Sequence, residues 1–158
     1  MSAVSAENSV IREEPPVEYR AGESIGKIPT KGLVIKSPYI EKILSGAKTW
    51  EMRSSAIGMQ LRGPIALIKK GSGQVVGVAD LVDVKGPLSQ QDRLKTIDKH
   101  HISPEQLESG ETEKWHTAWV LENARPLIIP IHYQHPNGAV IWVNLDRQVQ
   151  EKLALAMP

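Results

Sequence analysis

The chain has 158 residues, 41% of them hydrophobic, no cysteine and a formal net charge of +1. That length suits one domain, and the apolar fraction is enough for a buried core. The missing cysteine excludes disulfides, thiolate nucleophiles and cysteine-based zinc sites. No apolar run approaches the roughly 20 residues that span a bilayer, and Met1–Glu14 lacks the basic start and apolar run of a signal peptide. The expectation is a soluble cytoplasmic protein with no membrane partner. The charge is unevenly spread: between Lys31 and Val75 eight basic residues stand against two acidic ones, a local net charge of +6.

In chain order, residues 1–30 are polar, carry Pro15, Pro16 and Pro29, and show no helical or strand period. They read as an irregular N-terminal arm ahead of a domain over residues 31–158. Gly32-Leu33-Val34-Ile35 is a short apolar strand. Ser37-Pro38 looks like an N-cap followed by proline at the first helical position. Ile40, Ile43 and Leu44 follow at helical spacing, and Gly46 closes the helix. Thr49–Arg53 is the next strand. Pro64–Lys69 and Gln74–Val84 are β-rich runs joined by a Gly71-Ser72-Gly73 turn, with Gly77 marking a bulge. The same turn explains Ser72, whose spacing is neither a nucleophile elbow nor a phosphate loop.

Ser89 to Asp92 has capping-box spacing, and Leu94 and Ile97 share a helical face. Ser103-Pro104-Glu105-Gln106 starts a second short helix that Gly110 ends. Thr117–Leu121 reads as a strand, Leu127–Tyr133 and Ala139–Leu145 as a hairpin around Asn137-Gly138. Arg147–Met157 reads as a C-terminal helix with Val149, Leu153 and Met157 inward. Tight turns between strands favour antiparallel pairing, so the expected class is α+β: a small, mostly antiparallel β-barrel with peripheral helices.

The densest chemistry is Gly46-Ala47-Lys48-Thr49-Trp50-Glu51-Met52-Arg53. Strand period two puts Thr49, Glu51 and Arg53 on one face and Lys48, Trp50 and Met52 on the other. Glu51 and Arg53 can therefore enter one pocket, and Lys48 joins them only from the turn. In a site, Arg53 would offer a fork to a phosphate or base edge. Glu51 would accept from an amino group or act as a base, and Lys48 would hold a phosphate or activate a nucleophile. The structural alternative is a Glu51–Arg53 pair with Lys48 in solvent. Both readings remain open on the residues alone.

The pattern Gly46-x-Lys48-x-x-Glu51-x-Arg53 resembles the signature of the ASCH domain, a PUA-like β-barrel module. Pro38-Tyr39 stands where that family opens the preceding helix. Trp119-Val120-Leu121-Glu122-Asn123-Ala124-Arg125-Pro126-Leu127 looks like its second recurring strand. The resemblance covers roughly Lys31 to Asp146. It implies a module that takes RNA, a nucleotide or a modified nucleoside in a cleft near the signature, with no cofactor. Some relatives are amidohydrolases acting on N4-acetylcytidine through a lysine, a threonine and a glutamate, and others have been proposed as ribonucleases. Lys48 matches the lysine, but Glu51 stands in place of the threonine and Thr49 is out of phase, which argues against that amide-hydrolysis mechanism. Were the chain a hydrolase, Lys48 and Glu51 would be its catalytic pair; a scaffold for protein interaction is the weaker alternative.

Among the aromatic residues, Tyr39 at the helix start and Trp115 in a polar stretch are the candidates for stacking on a base, while Trp50 and Trp119 suit the core. The binding set is therefore Tyr39, Lys48, Glu51, Arg53 and Trp115. His132 and His135 have a spacing that suits a metal, but no acidic or cysteine cluster joins them, so no metal is expected. His100, His101 and His116 flank the midway helices, where one would have to reach the cleft to act as a base.

Overall fold

The computed structural model describes residues 27–55 and 61–157. Apart from its last four residues, the expected N-terminal arm lies outside them.

Six strands form one mixed sheet: β1 (Lys31–Ile35), β2 (Trp50–Arg53), β3 (Gly63–Lys69), β4 (Gln74–Lys85), β5 (Thr117–His132) and β6 (Trp142–Asn144), in the spatial order β2-β5-β4-β3-β1-β6. β1 runs parallel to β3; the other four pairings are antiparallel. The sheet curls into a half-barrel surrounded by α1 (Tyr39–Leu44), α2 (Gln90–Lys95), α3 (Ile97–His100), α4 (Pro104–Ser109) and α5 (Arg147–Ala156). The α+β class and the dominance of antiparallel pairing are as expected.

The central strands are apolar on both faces because both faces are covered. Leu33, Ile35, Ile65, Leu67, Ala79 and Leu81 point inside the curl, where Ile40 and Ile43 of α1 cover them. The alternate residues Val34, Ala66, Ile68 and Val78 meet Val149 and Leu153 of α5 on the other face. A third cluster joins Trp50, Met52 and Ala118 to Ile102 and Leu107 of the helical insert between β4 and β5. Gly77 is required where α1 crosses the sheet. A Cβ there would run into the Leu44 side chain and lie 2.7 Å from the Arg125 carbonyl oxygen. The β4–β5 register also slips between Val75 and Gly77, the expected bulge.

Local stop and start signals are realised closely. Ser103 and Gln106 form a reciprocal capping box on α4, and Gly110 ends that helix at φ 83°. Asp146 caps α5 by accepting from the Val149 N–H. Two expectations need correction. Ser37 does not cap α1: Pro38 occupies the cap position, and the Ser37 hydroxyl donates to Glu41 instead. The Asn137-Gly138 hairpin does not form. Thr117–Leu121 and, but for Tyr133, Leu127–Tyr133 belong to one 16-residue strand, β5, whose second half pairs with β4. β6 pairs with β1 at the far edge, with Val143 opposite Gly32. Residues 133–141 therefore cross from one strand to another without forming a tight turn between paired neighbours.

The curl brings the two ends of the sheet together through side chains. Trp119 of β5 stacks on Trp142 of β6 with centroids 5.8 Å apart and planes 13° off parallel. Arg53 of edge strand β2 donates from Nη2 to the Val34 carbonyl of β1 at 2.8 Å. The candidate site forms at this seam.

Candidate nucleotide-binding cleft

Lys48 sits in the turn between α1 and β2. Gly46 leaves α1 at φ 86°, and the Lys48 N–H returns to the Lys42 carbonyl at 3.0 Å. The Thr49 N–H is held by the Lys99 carbonyl at the same distance. These two backbone bonds direct the Lys48 side chain inward, where strand phase alone would have sent it to the other face. It is 2% exposed. Its ammonium donates to the carbonyls of Trp50 and His100, and it lies 3.5 Å from Glu51 Oε1. An ammonium has three N–H donors, so all three face partners.

Glu51 is the hub. Its other oxygen, Oε2, meets Arg53 Nη2 at 2.8 Å. Two buried or half-buried cations thus share one buried carboxylate. Burial pushes the Lys48 ammonium down to about 8, and the attraction of Glu51 opposes that fall. The Arg53 guanidinium lies 5.5 Å from the Trp119 ring, while its Nε is buried without a partner among the described residues. Its Nη2 serves both Glu51 and Val34, and no partner of Nη1 occurs among the described residues.

This hub forms the floor of an open cleft of about 200 Å³. Tyr39 from α1 and Trp115 from the loop before β5 form aromatic walls; Val34, Met52, Ile102 and Val140 supply apolar surface; Lys36 and Lys70 complete the lining. Lys36 Nζ stands 5.6 Å from the Trp115 ring and 6.0 Å from the Tyr39 ring, and Lys48 Nζ is 5.2 Å from Tyr39. Burial raises the Tyr39 hydroxyl above its ordinary range, so it stays protonated at neutral pH. The volume admits one base-sized group, and the lining sets charged groups beside aromatic and aliphatic surface.

All five residues expected to bind, Tyr39, Lys48, Glu51, Arg53 and Trp115, line this one cleft. Lys36 and Lys70 were missed as individuals, although both belong to the basic segment. Val34, Met52, Ile102 and Val140 carry no sequence signal that separates them from core residues.

The histidines stand apart from the cleft lining. His132 meets Gln74, and His135 bridges Tyr133 and the Ala139 carbonyl. No group of three or more His, Asp or Glu residues that could hold a metal occurs among the described residues. His100 is fully buried. Its Nε2 donates to the Arg93 carbonyl at 2.7 Å, and its Nδ1 accepts from the Ile102 N–H at 3.0 Å. This pattern requires the neutral ring, and burial lowers its proton affinity accordingly. Below pH about 6.5 the unfolded histidine takes up a proton that the folded one resists. Stability is therefore present above that pH and is lost as pH falls through the lowered folded value. Urea midpoints measured between pH 7.5 and 5 are expected to fall in the native protein and to change less in His100→Gln.

The ASCH domain family model matches residues 33–130. Among solved structures, the fold is similar to that of an ASCH protein from Zymomonas mobilis, at TM-score 0.58 and 20% identity over 79% of this chain and 93% of that one. Two mutant forms of the same Zymomonas mobilis protein align at TM-scores of 0.56 and 0.55, with 20% and 19% identity. They cover 82% and 79% of this chain and 99% and 96% of theirs. Identity this low supports the common fold alone. No curated protein matches the chain.

Proposed function

The chain belongs to the ASCH domain family, and we propose that its cleft binds RNA or a nucleotide, modified nucleosides included, one base at a time. A single observation carries this reading. Lys48, which strand phase separates from Glu51 and Arg53, is turned onto them at the floor of a cleft walled by Tyr39 and Trp115. A base stacked on either ring would gain about 1–3 kcal/mol. Its polar edge would meet Arg53 Nη1, and the surplus positive charge would favour an attached phosphate. Among the described residues no helix is long and apolar enough to cross a membrane.

A hydrolase using the same cleft is the second reading, favoured by the Lys48 ammonium being pushed down to about 8 beside Glu51. Against it, a nucleophile or base needs a lone pair aimed at substrate, and all three Lys48 donors face other partners.

The two readings predict opposite pH slopes. The charged Lys48 adds to the positive potential of the cleft without gripping the anion itself, so affinity for a nucleoside monophosphate is expected to fall modestly as pH rises through about 8. Hydrolysis by a free Lys48 amine would rise over the same interval. Calorimetric titrations at several pH values, beside turnover assays on N4-acetylcytidine and single-stranded RNA, measure both. Falling affinity without turnover supports binding. Turnover that climbs through pH 8 and vanishes in Lys48→Ala would replace it with the hydrolase.

A further inference from the structure

Four cations line the cleft against one carboxylate, and the hub explains only two of them, Lys48 and Arg53. Lys36 and Lys70 are left. The parallel register sets Ile35 of β1 beside Lys69 of β3, and the Lys70 N–H continues the ladder to the Ile35 carbonyl at 2.9 Å. Lys36 and Lys70 therefore leave neighbouring strand ends side by side, where backbones lie about 4.8 Å apart. Like charges so placed repel each other and weaken the pairing.

The neighbouring Lys69 shows how this fold neutralises such a charge: it meets Glu41 at 3.2 Å. Neither Lys36 nor Lys70 has a carboxylate within 4.0 Å among the described residues. Both are exposed and both reach the cleft. Packing does not explain an uncompensated pair at the mouth of a cleft, whereas an anionic ligand does. Lys48 cannot be the anion's main partner, because its donors are already engaged. Lys36, moreover, stands within 6.0 Å of both aromatic walls. A phosphate attached to a nucleoside whose base stacks there falls within its reach.

Resting on the nucleotide-binding reading above, we infer that the ligand is a single nucleotide carrying its phosphate, with Lys36 and Lys70 gripping the phosphate and the base directed toward Glu51 and Arg53. The same chemistry is offered by a free nucleoside monophosphate and by the phosphorylated end of a single-stranded RNA.

The test is calorimetric titration of the full chain at low salt with the four ribonucleosides, their 5′-monophosphates, and tetranucleotides bearing either a 5′-phosphate or a 5′-hydroxyl. At least one monophosphate should bind about tenfold or more tightly than its nucleoside. In the double variant Lys36→Ala/Lys70→Ala this preference should disappear, the monophosphate binding no more tightly than its nucleoside does to the same variant. Because the two lysines are exposed and mutually repulsive, the variant should unfold at the native temperature or above it, which a thermal melt checks. A phosphate-dependent gain in the tetranucleotides identifies an RNA end as the source. A gain confined to mononucleotides identifies the free metabolite, and either supports the inference. Equal binding of nucleoside and monophosphate, or a preference that survives in the double variant, overturns it while leaving nucleotide binding intact. If no nucleoside or nucleotide binds in an Arg53-dependent way, the broader reading fails and the inference falls with it.

Discussion

Arg53→Ala should weaken nucleotide binding by about a hundredfold, the largest loss expected from any single change in the cleft. Truncating one partner of a buried, hydrogen-bonded charge pair typically costs about 2–5 kcal/mol of binding energy, and about 1.4 kcal/mol corresponds to tenfold. Arg53 is the hub member with donor capacity to spare, since Nη2 serves Glu51 and Val34 and no partner of Nη1 occurs among the described residues. Arg53→Lys is the informative companion. It keeps the charge and loses the planar fork, so affinity should remain well below native. If Arg53→Lys binds like the native protein, long-range charge suffices and the fork has no role. The change also removes the contact between β2 and β1 at the seam, so each variant needs a thermal melt beside its titration. A folded Arg53→Ala that binds as well as the native protein would remove the cleft floor from the site.

The second large effect falls on stability. Glu51→Gln leaves Lys48 and Arg53 facing each other without the carboxylate that both approach. Breaking a buried ion pair by removing one member costs about 3–5 kcal/mol. For a chain of this size each kcal/mol shifts the melting temperature by about 2–4 °C, so a loss of roughly 6–20 °C is expected. Because Glu51 raises the proton affinity of Lys48, its removal should also move the Lys48 ammonium below about 8. Raising the pH would then neutralise that lysine and recover part of the lost stability. The folded group binds its proton less tightly than the unfolded one, so stability grows between the two values. Adding Lys48→Met to Glu51→Gln should restore part of the loss, a coupling that a double-mutant cycle reads directly. A melting temperature unchanged in Glu51→Gln would show that the carboxylate does not bind the two cations together.

What could be read from the chain was local. The Ser103–Gln106 capping box, the Gly110 stop and the Asp146 cap each depend on residues a few positions apart, and each formed. Strand partnership depends on the whole sheet, and there local signals misled. Asn137-Gly138 has hairpin chemistry, yet β6 pairs with β1 more than a hundred residues earlier. β5 runs unbroken through Pro126 because register shifts against β4, with Asn123 at φ 56°, absorb the irregularity.

The cleft divides the same way. The signature octapeptide pointed to Glu51 and Arg53 as one unit. Strand phase does not decide whether Lys48 joins them, because its direction is set by the Lys42 and Lys99 carbonyls. The adjacency of Lys36 and Lys70 was invisible because it follows from a parallel register that no turn chemistry announces.

The most direct test of the cleft is an NMR titration of the isotopically labelled chain with nucleoside monophosphates. The four tryptophans give four indole N–H signals. Trp115 alone of the four lines the cleft, packing from there against the cluster that contains Trp50, whereas Trp119 and Trp142 belong with the core inside the curl. The account predicts saturable shifts of the Trp115 indole and of the Lys36, Glu51, Arg53 and Ile102 amides, with the Trp50 indole unmoved. Saturable shifts confined to another face, or an unmoved Trp115 at millimolar ligand, would contradict it.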